Sequence, residues 1–166
     1  MKKCWIMLAL ALLLPGCGTQ ETMETVSDVY DAPVMAQVQQ VELTLPEGAA
    51  VPSMENPEAG RIYLCDGYTL TVQTGEAGDL DKTLRQVTGY KKEQLTLMET
   101  QRGGVTRYEC AWSAAGEGGD QVCRAVILDD GSYHYAVTAM TDSAKAGELT
   151  AVWQGILDSV RLVSTG

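Results

Sequence analysis

Short segments that alternate apolar and polar residues follow one another along this chain, and most are joined by turns of only a few residues. This alternation is the pattern of a β-strand with one buried face. Asp66-Gly67 and Asp129-Asp130-Gly131 favour turns because glycine tolerates a positive φ. Turns this short join antiparallel neighbours, whereas parallel strands need a long crossover. The predicted strands span residues 41–45, 61–65, 68–74, 94–101, 105–113, 121–128 and 132–140.

Two segments have helical periodicity instead. Asp79 can cap a helix whose apolar residues share one face, and Gly89 can end it. A cap at Asp142 or Ser143 would begin a second helix. The apolar residues of that second helix recur at helical spacing: Leu149, Val152, Trp153, Ile156, Leu157 and Val160. The sequence therefore predicts an α+β fold, an antiparallel sheet of six or seven strands packed by two or more helices.

The N-terminus has the features of an export signal. A basic start precedes an apolar run over residues 4–14, which is shorter than the about 20 residues of a permanent membrane-spanning helix. The run ends at Leu14-Pro15-Gly16-Cys17, which resembles the lipobox of bacterial lipoproteins. That resemblance implies that residues 1–16 are a removed signal peptide and that Cys17 carries a diacylglycerol. An ordinary cleaved signal with a free thiol is the alternative.

Negative charge is concentrated beside this predicted anchor. The formal net charge of −10 argues against a nucleic-acid partner, because phosphate binding needs clustered Lys and Arg. Every charged residue between Gly18 and Gly60 is acidic. Residues 17–37 are therefore predicted to be the lipidated Cys and a flexible acidic tether, and residues 38–166 a single domain. Acyl chains such as palmitate would anchor this extracytoplasmic domain to the cell membrane of the bacterial envelope.

Three sequence segments resemble the PsbP-like fold of photosystem accessory proteins, a Ran-binding nuclear import factor and many small bacterial lipoproteins. They are VELTLPEG at residues 41–48, LDDGSYHY at residues 128–135 and ILDSVRL at residues 156–162. The resemblance implies an α/β/α sandwich and a binding or accessory role. It carries over no functional residue and no cofactor.

Cys65, Cys110 and Cys123 lie within the predicted domain. A hairpin centred between Gly116 and Glu117 would place Cys110 opposite Cys123. Export favours oxidation, so these two residues are a candidate disulfide. Such a bond would contribute roughly 3 kcal/mol through loop entropy. The alternative is that all three cysteines are small buried hydrophobic residues.

His134 is the one histidine of the chain and the only imidazole base available to a hydrolase. Strand alternation places it beside Ser132, but no Gly-x-Ser-x-Gly motif is present. A structural or solvent-facing histidine is the preferred interpretation. Acidic residues cluster near Asp79 and Asp129 without the spacing of a Ca²⁺ loop, so capping and turn formation are expected there rather than metal binding.

Trp112 and Tyr108 are the candidate binding surface, because Tyr and Trp combine apolar area with a polar group. Trp112 lies near a glycine-rich turn and is expected to be exposed. The sequence thus predicts a lipid-anchored binding or scaffolding domain with a protein partner in the envelope, not an enzyme. Two alternatives stay open: an envelope hydrolase that uses His134, and a domain that senses a small ligand or cation.

Overall fold

The computed structural model describes residues 37–47, 52–56, 60–116 and 118–164. The signal peptide, Cys17 and nearly all of the tether predicted above lie outside these residues. The strands are β1 (Gln40–Glu42), β2 (Met54–Asn56), β3 (Gly60–Cys65), β4 (Tyr68–Glu76), β5 (Met98–Arg102), β6 (Val105–Gly116), β7 (Gly119–Asp129), β8 (Tyr133–Asp142) and β9 (Arg161–Val163). The helices are α1 (Leu80–Thr88) and α2 (Ala146–Ser159), with a short 3-10 turn at Lys92–Gln94.

Seven strands form one antiparallel sheet in the order β2-β3-β4-β8-β7-β6-β5. This confirms the predicted α+β class. The strand predicted at residues 41–45 is shorter than expected and does not join this sheet. It pairs as β1 with β9, Val41 lying opposite Leu162, in a separate two-stranded sheet. Neither β2 nor β9 was predicted, because three-residue strands are too short for alternation to identify.

Helix α1 follows the predicted start and end. The Asp79 side chain accepts a hydrogen bond from the backbone N–H of Asp81 at 2.9 Å and so caps the first turn. Gly89 ends the helix with φ near 80°, a left-handed conformation that glycine adopts without a Cβ clash. Local sequence therefore determines both ends of this helix.

The two helices cover opposite faces of the seven-stranded sheet. Trp153, Ile156 and Leu157 of α2 pack on one face, in a core cluster with Leu70, Val126 and Val137. Leu84 of α1 packs on the other face against Cys110, Ala125, Ile127 and Ala136. Neighbouring residues on a strand point to opposite faces, so Val126 and Ile127 contribute to different cores. The result is the predicted α/β/α sandwich.

Helix α2 starts later than predicted, at Ala146, and neither Asp142 nor Ser143 caps it. β8 continues to Asp142, which pairs with Gln121 of β7. Pairing across the sheet therefore extends the strand through the position where local sequence favours a cap. Lys145 occupies the N-cap position of α2, and its side chain makes no capping hydrogen bond.

The predicted disulfide between Cys110 and Cys123 is not formed, and all three described cysteines are free thiols. Gly116 pairs with Gly119, so the turn is displaced by one residue from its predicted position. This displacement shifts the register by two residues, and Cys110 lies opposite Ala125 while Cys123 lies opposite Trp112. Both thiols are buried, and burial raises the pKa of Cys110 to about 11.

Asp130 ties the beginning of the domain to the turn between β7 and β8. Its carboxylate accepts hydrogen bonds from the Gln39 amide at 2.9 Å and the Tyr135 hydroxyl at 3.0 Å. It also accepts from the backbone N–H groups of Ser132 and Tyr133. Partial burial opposes ionisation, but these donors outweigh it and hold the pKa of Asp130 below its usual range.

We expect Asp130→Asn to destabilise the domain by about 2 kcal/mol near pH 7, because the carboxylate is replaced by a weaker acceptor. The native pKa is lowered, so the stabilisation is complete above the ordinary Asp pKa and is lost as pH falls through the native value. Urea unfolding at about pH 7 and about pH 3 should show the difference shrinking in acid. Asp66→Asn, in an exposed turn, is the control. An equal difference at both pH values would contradict the role of the Asp130 charge.

Candidate functional site

A cavity of about 420 Å³ lies between α1 and the end of β4, above the start of β8. One wall is the strand segment from Gln73 to Glu76, and the other is the side of α1 that carries Lys82 and Gln86. His134 and Ala136 lie between these walls. The cavity is within the size range of small-molecule sites.

His134 is 3% exposed and joins two polar partners beside this cavity. Its Nδ1 atom lies 2.7 Å from the hydroxyl oxygen of Thr83 on α1. Its Nε2 atom lies 3.4 Å from a carboxylate oxygen of Asp129, which is its direct partner across the β7–β8 pair. The buried imidazole therefore connects a hydroxyl to a carboxylate.

The carboxylate of Asp129 indicates which ring nitrogen of His134 carries a proton. A carboxylate accepts hydrogen bonds, so the ring proton belongs on Nε2. Nδ1 then accepts a hydrogen bond from the Thr83 hydroxyl. Because Thr83 also lines the cavity, its oxygen lone pairs are left for a donor on a ligand.

Gly75 creates part of the space beside His134. It lies directly opposite His134 across the β4–β8 pair, so a Cβ would point toward the same face. A Cβ built on Gly75 would meet no atom within 4 Å. The cavity can therefore be filled by a side chain at this position.

Ser132 is not the hydroxyl that contacts His134, contrary to the arrangement expected for a hydrolase. It lies in the exposed turn before β8, where its N–H donates to Asp130 at 2.9 Å. The strand begins only at Tyr133, so the alternation that would place Ser132 beside His134 does not extend back to it. Thr83 takes this place from another element of the fold.

The acidic clusters serve mainly as caps and turns, as predicted. Asp129 accepts from the N–H of Gly131 at 2.8 Å, which closes the β7–β8 turn. Asp81 forms an ion pair with Arg85 and accepts from the N–H of Lys92 at 2.6 Å. These partners, chiefly the Lys92 N–H, hold the pKa of Asp81 below its usual range.

Trp112 and Tyr108, the predicted binding surface, are both half-buried, so Trp112 is less exposed than expected. Both pack against the core cluster around Leu84 on the α1 side of the sheet. Burial raises the pKa of Tyr108, and the negative charges of Glu99 and Asp129 raise it further. Neither residue lines the cavity beside His134. β6 continues to Gly116, so Trp112 lies within the strand, opposite Cys123, and not at the turn.

Two other kinds of site were sought in the described residues. No group of three or more His, Cys, Asp or Glu residues within them is arranged to hold a metal ion. None of their helices has the length and apolar character needed to cross a bilayer.

Comparison with known proteins finds solved structures that resemble this fold. No protein-family model matches the chain, and no curated protein matches it. Among solved structures, LpqN, involved in cell envelope biogenesis of Mycobacterium tuberculosis, is 12% identical with a TM-score of 0.51, over 77% of this chain and 86% of LpqN. At this identity the likeness shows the fold alone.

Two further solved structures are similar at lower scores. The cyanobacterial PsbP of Synechocystis is 11% identical with a TM-score of 0.49, over 74% of this chain and 82% of its own. The Saccharomyces cerevisiae Ran-binding protein Mog1p is 12% identical with a TM-score of 0.42, over 77% of this chain and 98% of its own. The predicted α+β sandwich is confirmed by the seven-stranded sheet and the helices on its two faces.

The sequence pattern missed Thr83 and the contact between Asp129 and His134. The Asp129–His134 contact could have been predicted, since a short turn at Asp130-Gly131 makes these two residues cross-strand partners. The position of Thr83 could not, because its approach to His134 depends on how α1 packs across the sheet.

Proposed function

We propose that this protein is a lipid-anchored binding domain of the bacterial cell envelope, exposed outside the cytoplasm and not catalytic. The observation that carries the proposal is the Leu14-Pro15-Gly16-Cys17 motif at the end of an apolar run. An acidic segment follows it and leads to the sandwich. Two or more acyl chains on Cys17 would hold the protein on a membrane, and negative charge would keep the domain off the lipid surface.

The surroundings of His134 support binding rather than catalysis. Both ring nitrogens contact partners within the protein, and the ring is 3% exposed. A general base needs a nitrogen within reach of the proton that it abstracts from a substrate or nucleophile. Here burial keeps both ring nitrogens away from a substrate. The hydroxyl that lies within reach of Nδ1 is that of Thr83, a secondary alcohol on a helix.

A protein partner is supported by apolar side chains at one edge of the sheet. Met54 is 59% exposed and Leu64 is 67% exposed, on neighbouring strands β2 and β3. Met54 pairs with Ile62, two residues from Leu64, so all three lie on one face. Exposed apolar residues that cluster in this way are typical of interaction surfaces.

The anchor is tested by Cys17→Ala in the full-length protein. We expect the wild-type chain to incorporate labelled palmitate and to sediment with membranes, and the variant to do neither, because the proposed thioether to the diacylglycerol needs the Cys17 sulfur. Cys65→Ala is the matched control and should keep both properties. Membrane retention of the Cys17 variant would overturn the proposed anchor.

The proposed partner is tested by crosslinking the intact protein in its native envelope and identifying captured proteins by mass spectrometry. We expect Leu64→Glu to lose a specific capture that the wild-type protein and Thr100→Glu, on the exposed strand β5 at the opposite edge of the sheet, both retain. Equal capture by all three proteins would contradict this surface.

A hydrolase is the second candidate function, because a hydroxyl, an imidazole and a carboxylate are joined beside a cavity. In that case the Thr83 hydroxyl would attack the carbonyl carbon of an ester while Nδ1 of His134 takes its proton and Asp129 stabilises the imidazolium. The ester C–O bond would break, the alcohol would leave with the proton from His134, and water would then hydrolyse the acyl-threonine to release the acid. Hydrolysis of 4-nitrophenyl acetate that disappears in Thr83→Val would support this function. If the wild-type and Thr83→Val proteins hydrolyse it at the same background rate, Thr83 is not a nucleophile and the binding function stands.

A further inference from the structure

The cavity beside His134 is lined by polar groups that have no partner within the described structure. The side chains of Glu76, Lys82, Gln73 and Gln86 are exposed and form no hydrogen bond or ion pair with another described residue. The adjacent carboxylate of Asp79 uses one oxygen to cap α1, and its second oxygen makes no hydrogen bond with a described residue. These groups are therefore free to bind a ligand.

The charges in this cavity are of both signs. Glu76 and Asp79 supply carboxylates along one rim, and Lys82 supplies an ammonium group from α1. The tautomer set by Asp129 makes Thr83 a further acceptor toward the cavity. A ligand that satisfies all of them needs a cationic donor and an anionic acceptor within the same small molecule.

The other lining residues narrow the class of ligand. Apart from the His134 ring, no aromatic side chain of the described residues lines the cavity, so they offer no flat platform for a sugar ring to stack on. The amides of Gln73 and Gln86 can both donate and accept, which suits the peptide group of a short peptide. The cavity volume, about 420 Å³, has room for such a molecule.

We infer that the cavity between α1 and β4 binds a small zwitterion, an amino acid or a dipeptide. Lys82 would bind the ligand carboxylate, and Glu76 with Thr83 would bind its ammonium group. This inference rests on the proposed binding function and specifies its ligand. It is independent of the anchor at Cys17 and of the apolar edge at Leu64.

The experiment is calorimetric titration of the full-length protein in detergent with L-alanyl-L-alanine. The comparison probes are its N-acetyl form, which lacks the ammonium group, and its C-terminal amide, which lacks the carboxylate. We expect each blocked form to bind about tenfold more weakly or not at all, since each loses a charged hydrogen bond. Absence of dipeptide binding, or equal binding of the three probes, would overturn the inference.

Single substitutions identify the groups that bind each end. Lys82→Gln should weaken dipeptide binding about tenfold and leave binding of the amide unchanged, because the amide has no carboxylate to lose. Glu76→Gln should also weaken dipeptide binding about tenfold, but it should leave binding of the N-acetyl form unchanged, because that form has no ammonium group to lose. Lys145→Gln, on a distant loop, should change nothing. Loss of binding in the Lys145 variant, or none in the Lys82 variant, would contradict the assignment.

Gly75→Val tests the cavity without removing a polar group. The added side chain enters open space, and Gly75 has no positive φ, so the fold should be kept. We expect dipeptide binding to be abolished, while Gly147→Ala on α2 leaves it intact. If binding survives in Gly75→Val, the ligand lies elsewhere. In either case palmitate labelling is expected to be unaffected, so failure here is distinct from failure of the anchor.

Discussion

Replacing Trp153 with alanine is expected to cost the domain about 3 to 5 kcal/mol of unfolding free energy. Trp153 is 1% exposed and is among the largest fully buried side chains of the α2 core. Its ring meets the edge of Tyr68, with centroids 6.4 Å apart and planes at 65°. Alanine would leave a cavity that the surrounding sheet cannot fill by collapse.

Phenylalanine at the same position is expected to cost much less, about 1 to 2 kcal/mol. The indole N–H of Trp153 has no hydrogen-bond acceptor among the described residues, although the atom is buried. A buried donor without a partner is destabilising, so its removal offsets part of the lost apolar area. The two effects act in opposite directions and can be separated by comparing the variants.

Urea unfolding monitored by circular dichroism measures both Trp153 variants. Val152→Ala, at the neighbouring and more exposed position, is the control and should change the free energy of unfolding by less than about 1 kcal/mol. If the phenylalanine variant loses as much unfolding free energy as the alanine variant, the indole N–H has a hydrogen-bond acceptor and stabilises the fold. A small cost for alanine would contradict the central place of Trp153 in the core.

Replacing Arg107 with methionine is expected to destabilise the domain by about 3 kcal/mol. The guanidinium donates to the Leu157 carbonyl at 2.8 Å and to the Val160 carbonyl at 3.5 Å, at the end of α2. The last carbonyls of a helix lack partners within it, and a cation there also interacts favourably with the helix dipole. Arg107 thus joins β6 to the end of α2.

Glu109 makes the Arg107 substitution more costly. The two side chains form a 2.7 Å ion pair, and each is 18% exposed. Loss of Arg107 would leave a largely buried carboxylate without its partner. Adding Glu109→Gln to Arg107→Met should therefore restore part of the lost stability, measured as non-additivity in a double-mutant cycle.

Arg161 provides the matched control, because its ion pair with Glu42 is 61% and 49% exposed. An exposed pair contributes about 0 to 1 kcal/mol, so Arg161→Met should have a small effect. Equal effects of the two arginine substitutions would contradict the role given to burial and to the helix carbonyls.

The sequence predicted elements whose signals are local. Helix α1 begins at the Asp79 cap and ends at Gly89 because both ends depend on hydrogen bonds and φ values within a few residues. The β3–β4 hairpin was predicted for the same reason, from Asp66-Gly67. The helix α2 start was wrong, since cross-strand pairing continued β8 through the favoured cap.

The candidate site was only partly predictable. His134 was identified as the one imidazole, and a structural role was preferred for it. Its contact with Thr83 joins residues 51 positions apart, which no local pattern encodes. The exposure expected for Trp112 was wrong for a related reason, since the turn lies one residue later and the register differs from the predicted one.

The sequence by itself determined the α+β class, most strand positions and the ends of α1, because each depends on periodicity or turn chemistry. The lipid anchor stays a prediction from a short motif. Only the tertiary structure decided the pairing of β1 with β9, the separation of Cys110 from Cys123, and the cavity between α1 and β4. These features depend on register and on packing between distant segments. A displacement of one residue in a turn shifts such pairings. Local sequence does not fix the position of a turn to within one residue.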